Sequence, residues 1–437
     1  MDFVVGVLIV VVGLLLSIAL HEIGHLVPAK KFGVKTPQYM VGFGRTLWSR
    51  TVNGTEYGVK ALPLGGYVRM VGMYPPARAG TPRRRRNGRA SMVEEARAAA
   101  LEEIRPGEEH RAFYRLSVPK KLVVMLGGPL MNFLISAVLL GVLAVGLGVG
   151  QYTTTVSSVQ QCLPADPDAT ECAAGDPVAP GAQAGLQPGD EIVAWAGTPV
   201  RSWEEVTAAI AAGGTGPADV EVVRDGEDTT VAVTPVLRER PVLAEDGSVA
   251  VDAEGQEVTE QRPYVGIGPT FELVRQPVTE VPGMVWNVFT GTVEVVVTLP
   301  QRLVDVAEAA FGTQERDPGV VGLIGVGRFA GEIASLDGHG YGVAERSADM
   351  MSLLVSLNMA LFVFNLIPLL PLDGGHIAGA LWEGARRRIA RWRDAPDPGP
   401  VDTARLLPAT YAVVALMLGM SVLLAYADIV RPVSLAG

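Results

Sequence analysis

Two histidines four residues apart flank a carboxylate in His21-Glu22-Ile23-Gly24-His25. On a helix this spacing puts both imidazoles on one face, able to hold one divalent cation, with Glu22 beside the first of them. Zn²⁺ held in this way lowers the pKa of a water molecule, and a nearby carboxylate that is not a ligand can take the proton. The chemistry implied is metal-assisted hydrolysis with Glu22 as general base. The pattern closes an apolar run from Phe3 to Leu20 that only Ser17 interrupts. An Asp, Lys or Arg near the middle of a membrane helix costs at least ~2.5–3.5 kcal/mol on insertion scales, so ionisable groups at such a place point to a use. Catalytic zinc takes three protein ligands and keeps one position open, so a third ligand is required from elsewhere.

The elements that must position these groups are membrane helices. The chain has 437 residues, 49% of them hydrophobic, with a mean hydropathy of +0.29 and a net charge of −10. The apolar residues are gathered into Phe3–Leu20, Leu122–Val149, Met350–Leu372 and Leu406–Tyr426. Each is near or above the ~20 residues that a spanning helix needs, the first when it continues through the His-Glu motif. A cleaved signal peptide does not fit the first run, because Asp2 replaces a basic start and the metal motif occupies the place of a cleavage site. Residues 28–121 carry 19 Lys and Arg against 7 Asp and Glu, whereas residues 151–349 carry 10 against 31. Positive loops stay in the cytoplasm. The first loop and the one holding Arg386, Arg387, Arg388, Arg391 and Arg393 are therefore expected inside, the acidic loop outside, and both termini outside. Cys162 and Cys172 both fall in that outer loop, where a disulfide suits an oxidising compartment; two free thiols are the alternative. Val281–Leu299 is apolar but holds Glu294, and reads as a helix lying at the membrane surface.

The third ligand is sought at the end of the third run. There Asn365-Leu-Ile-Pro368-Leu-Leu-Pro371-Leu372-Asp373-Gly374-Gly375-His376 breaks the helix with two prolines and permits tight bends with two glycines. Irregular backbone at membrane depth is tolerated where it is buried in protein or lines a polar cavity. Asp373 is the one acid in this stretch, and the charge argument sets it at the same depth as His21 and His25. His376 is the competing ligand; a capping role is the competing use of Asp373.

These residues together resemble the site-2 protease family of intramembrane zinc metalloproteases, in its bacterial PDZ-containing branch, and most closely its actinobacterial members. Asn365 through Gly374 matches the family's N-x-x-P-x-x-x-L-D-G motif, and Gly128-Pro129-Leu-Met-Asn132-Phe133 matches G-P-x-x-N-F. Gly42-Phe43-Gly44, and Gly54 through Val68, match its membrane-associated β-loop. The resemblance implies one Zn²⁺ held by His21, His25 and Asp373, with Glu22 as base and Asn365 positioning or polarising the scissile carbonyl. It also implies single-pass membrane substrates of the anti-sigma-factor kind, cut first outside by a site-1-type protease, in regulated intramembrane proteolysis and stress signalling at the inner (plasma) membrane. Asn132 reads as a hydrogen bond between helices.

The expected fold is a polytopic α-helical membrane protein of about four transmembrane helices, with an inserted extracytoplasmic PDZ-like α/β domain and a cytoplasmic-side β-loop. The first span is expected over 1–27, the β-loop and a charged insertion over 28–117, and the second span over 118–150. A PDZ-like domain over 151–275 and interfacial helices with a Gly-rich segment over 276–348 follow. The third span is expected over 349–374, a cytoplasmic loop over 375–405 and the fourth span over 406–428. Alternation in Thr55–Ala61 suggests a strand edge that could hold an unwound substrate. The PDZ-like domain either binds peptide or only filters by size. A basic run at Arg83–Arg86 and a polar helix within Ala90–Glu103 are expected to face solvent or anionic headgroups. The alternative function is a catalytically silent scaffold that binds peptides through the PDZ-like domain; a metal transporter lacks a second relay of ionisable residues across the spans.

Overall fold

Phe3 to Leu20 is apolar on every side, and no packed core can cover all of it. In the computed structural model this run lies in α1 (Asp2–Lys31), where Val4, Leu8, Val12 and Leu16 stay exposed as a stripe four residues apart. Such a stripe is solvated by lipid. The structure describes residues 2–77, 85–86, 89–90, 92–164, 172–173, 175–242, 258–312, 319–336 and 341–433. They form two compact units: Met1–Leu147 with Arg275–Gly437, and Gly148–Val274.

In the first unit α1 leads into strands β1 (Gln38–Val52) and β2 (Thr55–Arg69). Two-residue strands β3 (Arg85–Arg86) and β4 (Arg89–Ala90) precede α2 (Met92–Glu102), the polar helix expected there. The Arg83 and Arg84 start of the basic run lies outside the described residues. Then come α3 (Val118–Val142) and, after the second unit, α6 (Val281–Phe311), α7 (Leu323–Ser335), α8 (Val343–Leu366), α9 (Asp373–Trp392) and α10 (Leu407–Val430).

Among the described residues five helical stretches have the length and composition of a span, one more than the four expected: 2–31, 118–147, 281–311, 343–366 and 403–430. The additional one is α6, which runs on through Pro300 to 31 residues where the apolar run alone stops at Leu299. Packing shows where its ends lie. A cavity of about 420 Å³ is walled by Val5 and Ile9 of α1, Leu139 of α3 and Val343 and Met350 of α8, so the start of α1, the end of α3 and the start of α8 share one side. Asp428 at the end of α10 accepts the Gly325 N–H of α7 at 2.7 Å, and α7 lies with Ala330 O against Gly6 of α1, so this end belongs to the same side. The first residue of α6, Val281, meets Gly141 of α3, and its last, Phe311, stacks on Tyr426 of α10. α6 thus packs by its first turn on the end of α3 and by its last on the end of α10.

The β-loop differs from its expected pattern. Asn53 and Gly54 both take left-handed backbone and close a two-residue hairpin, Val52 against Thr55. Bends at Gly42, Gly44 and Gly65 then fold the long strands back, so residues 38–41 pair with 56–59 on one side and 66–69 on the other. Residues 56–59 are thus interior, paired also with 48–51, and the two outer strands are 48–51 and 66–69, of which 66–69 lies beside α1. Alternation along 55–61 marks a two-faced strand but carries no information on which strand is outermost. Leu47, Trp48 and Leu62 are exposed on the loop.

In the second unit the sheet order is β12-β5-β6-β8-β9, with β5 (Val149–Val159), β6 (Glu191–Trp195), β8 (Ala218–Arg224), β9 (Glu227–Val233) and β12 (Ile267–Val274). The short strand β7 (Thr198–Pro199) pairs with β6, and β10 (Val236–Pro241) with β11 (Thr259–Tyr264). Helices α4 (Pro180–Ala184) and α5 (Trp203–Gly213) complete it. Val156, Ile192, Trp195, Val206 and Val220 form its core. Ser202 caps α5 by accepting the Glu205 N–H at 3.2 Å. Asp225 and Gly226 make the left-handed turn between β8 and β9. Cys162 and Cys172 form a disulfide.

A buried carboxylate ties this unit together. Arg224 donates Nε to Asp190 Oδ1 and Nη2 to Asp190 Oδ2, both at 2.7 Å, and Gln187 N–H adds a bond at 2.8 Å. Burial works against the charge, but these donors outweigh it and hold the Asp190 carboxyl below its ordinary value. Its contribution is full above pH ~4, the value of an unfolded Asp, and is lost as pH falls through the lowered native value. Asp190→Ala strands a charged Arg224 and is expected to cost this unit about 3 kcal/mol. Hydrogen exchange of the β6 and β8 amides in the full chain reads the loss. Protection in the variant should also depend less on acid than in the wild type.

Candidate metal centre

His21 and His25 lie one turn apart on α1, and Asp373 is the first residue of α9, directly after the turn that ends α8. Their ligand atoms converge. His25 Nε2 is 3.2 Å from His21 Nε2 and 3.2 Å from Asp373 Oδ2, and His21 Nε2 is 3.4 Å from Asp373 Oδ2. Ligands ~2.0–2.1 Å from a tetrahedral ion stand about 3.3 Å apart, so these three atoms have the spacing of one face of such a site. Among the described residues this is the one group of three or more His, Cys, Asp or Glu side chains able to share an ion.

Three observations test the fit of a cation. Asp373 Oδ2 is a buried atom without a hydrogen-bond donor. His25 Nδ1 lies 2.8 Å from the Val124 carbonyl, so Nδ1 carries the proton and Nε2 presents a lone pair to the other two atoms. Asn132 stands 3.1 Å from His21 Nδ1 by its amide nitrogen, while its own Oδ1 is buried without a partner. A half-turn of that amide, which changes no shape, lets Oδ1 accept from His21 Nδ1–H and frees His21 Nε2 in the same way. Three lone-pair atoms facing one another at these distances repel unless a cation lies between them, and the donor set of two imidazoles and a carboxylate suits Zn²⁺.

Backbone closeness makes the arrangement possible. A Cβ on Gly24 would lie 2.2 Å from Gly127 O, and one on Gly127 would lie 2.0 Å from Gly24 O, so α1 and α3 cross in backbone contact. A Cβ on Gly128 would lie 2.1 Å from His25 Nε2, inside the imidazole itself. Val124, Gly128 and Asn132 succeed each other every four residues on α3, so one stripe of that helix supplies the carbonyl, the space and the amide.

Glu22 is buried beside the strand formed by residues 66–69. Gly66 of the same strand lies against the Glu22 side chain. The other expected residues fall further out. Asn365 donates to the Leu361 carbonyl of its own helix at 2.9 Å. His376, one turn along α9, lines a small cavity with Lys121 and Glu383 and is not part of the three-atom group. Val124, Gly128 and Gly66 carry no chemistry-bearing side chain, so residue type did not single them out; the four-residue spacing within Val124–Asn132 was the available signal.

Peptidase family M50 matches the chain over residues 9–395. The zinc metalloprotease Rip1 of Mycolicibacterium smegmatis is 33% identical over 455 aligned positions, covering 100% of both chains. Rip1 of Mycobacterium tuberculosis is 33% identical over 447 positions, again covering 100% of both. The metalloprotease MmpA of Caulobacter vibrioides is 28% identical over 405 positions, covering 89% of each.

Asn132→Ala is expected to weaken zinc binding about 10- to 100-fold, the usual effect of losing a group that orients a metal-bound histidine. Gly128→Ala should be worse, because the new methyl displaces the His25 ring. Competition between the purified proteins and a fluorescent zinc chelator measures both.

Proposed function

This chain belongs to peptidase family M50, the site-2 proteases, and is a zinc metalloprotease of the membrane; we propose that it cuts single-pass membrane proteins whose outer domain has already been removed. The convergence of His21 Nε2, His25 Nε2 and Asp373 Oδ2 at 3.2–3.4 Å, with Glu22 beside them, carries the reading.

His21, His25 and Asp373 hold the zinc. When bound, zinc supplies a Lewis acid and a nucleophile at neutral pH. Glu22 takes the proton of the attacking water and returns it to the leaving amine. Gly66 of the strand 66–69 lies against the Glu22 side chain. A substrate helix hides its peptide groups in its own hydrogen bonds and must unwind before it is cut. Residues 66–69 offer it a strand to pair with, directly beside Glu22. Asn365 then orients the scissile carbonyl after its amide leaves Leu361 O.

Four spans, α1, α3, α8 and α10, are part of this reading; α6 is one unbroken helix that packs by Val281 on Gly141 of α3 and by Phe311 on Tyr426 of α10. The charge of residues 28–121 puts the metal site toward the cytoplasm and residues 148–274 outside. The Cys162–Cys172 disulfide suits that outer compartment. The outer unit, a PDZ-like fold of a six-stranded sheet, a two-stranded sheet and two helices, restricts entry to substrates already trimmed by a first protease, and the cut releases the inner fragment as a signal, as from an anti-sigma factor.

Co-expression with a truncated single-pass substrate tests this. Glu22→Gln should retain zinc and lower fragment release by about 10²–10⁴-fold. Cleavage by the variant at the wild-type rate rules out Glu22 as the base. Zinc retention without cleavage by either protein, across several trimmed substrates, rules out the protease reading of this site.

A further inference from the structure

The stretch after Asp373 forms a 20-residue helix, α9, where the prolines and the arginine run suggested a cytoplasmic loop. Its faces differ sharply. Ala380 and Glu383 point into the protein, and Lys121 of α3 donates to Glu383 Oε2 at 2.7 Å. At about 100° per residue, Leu381, Trp382, Ala385, Ile389 and Trp392 fall within one arc of about 100° on the opposite side. All five are exposed, Trp392 by 75% and Trp382 by 58%. By the same rotation Arg388 borders this stripe on one flank, with Arg386 and Arg393 on the other. Arg388 stacks over the Trp392 ring at 5.3 Å. The two acids of the helix, Asp373 and Glu383, both face inward, so the charges on its outer surface are all arginine.

Four arginines in this helix, and Arg393 directly after it, exclude it from the bilayer core. An apolar stripe with Trp near each end, framed by Arg and beginning where a spanning helix stops, has the composition of a helix lying in the headgroup region of an anionic leaflet. Its long side chains can bury their stems beside the stripe while their guanidiniums meet lipid phosphates. The first residue of the same helix is Asp373, and Gly374 is wedged so closely that a Cβ there would lie 2.2 Å from Ile367 O. The depth of the helix is thus passed to the carboxylate without slack.

We propose that α9 is an interfacial anchor for anionic lipid, seated by the Leu381–Trp392 stripe and its flanking arginines, and that this seating holds Asp373 in place at the metal centre. The second half rests on the proposed role of Asp373 as a ligand, which zinc content of Asp373→Ala tests separately.

Full-length protein is reconstituted into phosphatidylcholine vesicles, with or without phosphatidylglycerol, bearing brominated acyl chains. Wild type is compared with the Trp382→Phe/Trp392→Phe variant, so that the difference emission belongs to the two indoles. In phosphatidylglycerol vesicles this emission should lose roughly half its intensity to the brominated lipid and little to aqueous iodide. Quenching by iodide alone would overturn the anchor, as would lipid quenching that vanishes when the protein-to-lipid ratio is raised, which assigns the stripe to a second copy. Zinc release to a chelator should be roughly fivefold slower in phosphatidylglycerol than in phosphatidylcholine for the wild type. The Arg386→Gln/Arg388→Gln/Arg393→Gln variant should show no such difference. Equal release rates for the wild type in both vesicles overturn the coupling to Asp373.

Discussion

Three electron-rich atoms held 3.2–3.4 Å apart inside a helix bundle set the terms for the rest of the membrane unit. Without a cation between them they repel, and in a medium that water barely reaches the repulsion is weakly screened. The protein holds them there by removing alternatives. The Gly24–Gly127 crossing leaves α1 no room to rotate away from α3, and Gly128 reserves the volume that the His25 ring fills. Val124 O and Asn132 engage the far nitrogens of the two rings, so that both near nitrogens remain lone pairs. In the proposed site zinc binding and helix packing would be one event.

The irregular parts of the chain sit where that event needs them. Strand residues 66–69 lie beside α1, with Gly66 against the Glu22 side chain, while Tyr39 on the neighbouring strand donates to Ala19 O at 2.8 Å. The turn between α8 and α9 delivers Asp373 from a second direction. Further along α9 the Lys121–Glu383 pair is nearly enclosed, and the Val401 N–H adds a bond to the same carboxylate oxygen at 3.1 Å. Such a buried pair contributes little net stability beside an apolar substitute, yet removing one partner is costly. It therefore fixes which turn of α9 meets α3, and with it the position of the helix that starts at Asp373.

Much of this was legible in the residues. The His-Glu-x-x-His spacing and the one acid of the third apolar run named the three atoms that the structure brings together, because ionisable groups are rare at membrane depth and their spacing is interpretable. Other features were not legible, each for a physical reason. Helix α6 outran its apolar run because Pro300 did not end it. Residues 56–59 were expected at an edge and are interior, since pairing order depends on the bends at Gly42, Gly44 and Gly65, which alternation does not report. Helix α9 was read only as a cytoplasmic loop because its arginine cluster was used to place it on one side of the membrane, although the recurrence of Leu381, Trp382, Ala385, Ile389 and Trp392 already traced one helical face. Asn132 was read as a hydrogen bond between helices and is one; that its partner is His21 needed the crossing of α1 and α3, which no single segment encodes.

The central claim is that one zinc ion is held by two imidazoles and one carboxylate in this bundle. X-ray absorption at the zinc edge of the purified full-length protein tests it most directly. The account predicts one zinc per chain, four light-atom neighbours at ~2.0–2.2 Å and the multiple scattering of two imidazoles, with zinc lost on Asp373→Ala. Scattering from three imidazoles, which would bring His376 into the site, or full zinc retention by Asp373→Ala, would contradict it.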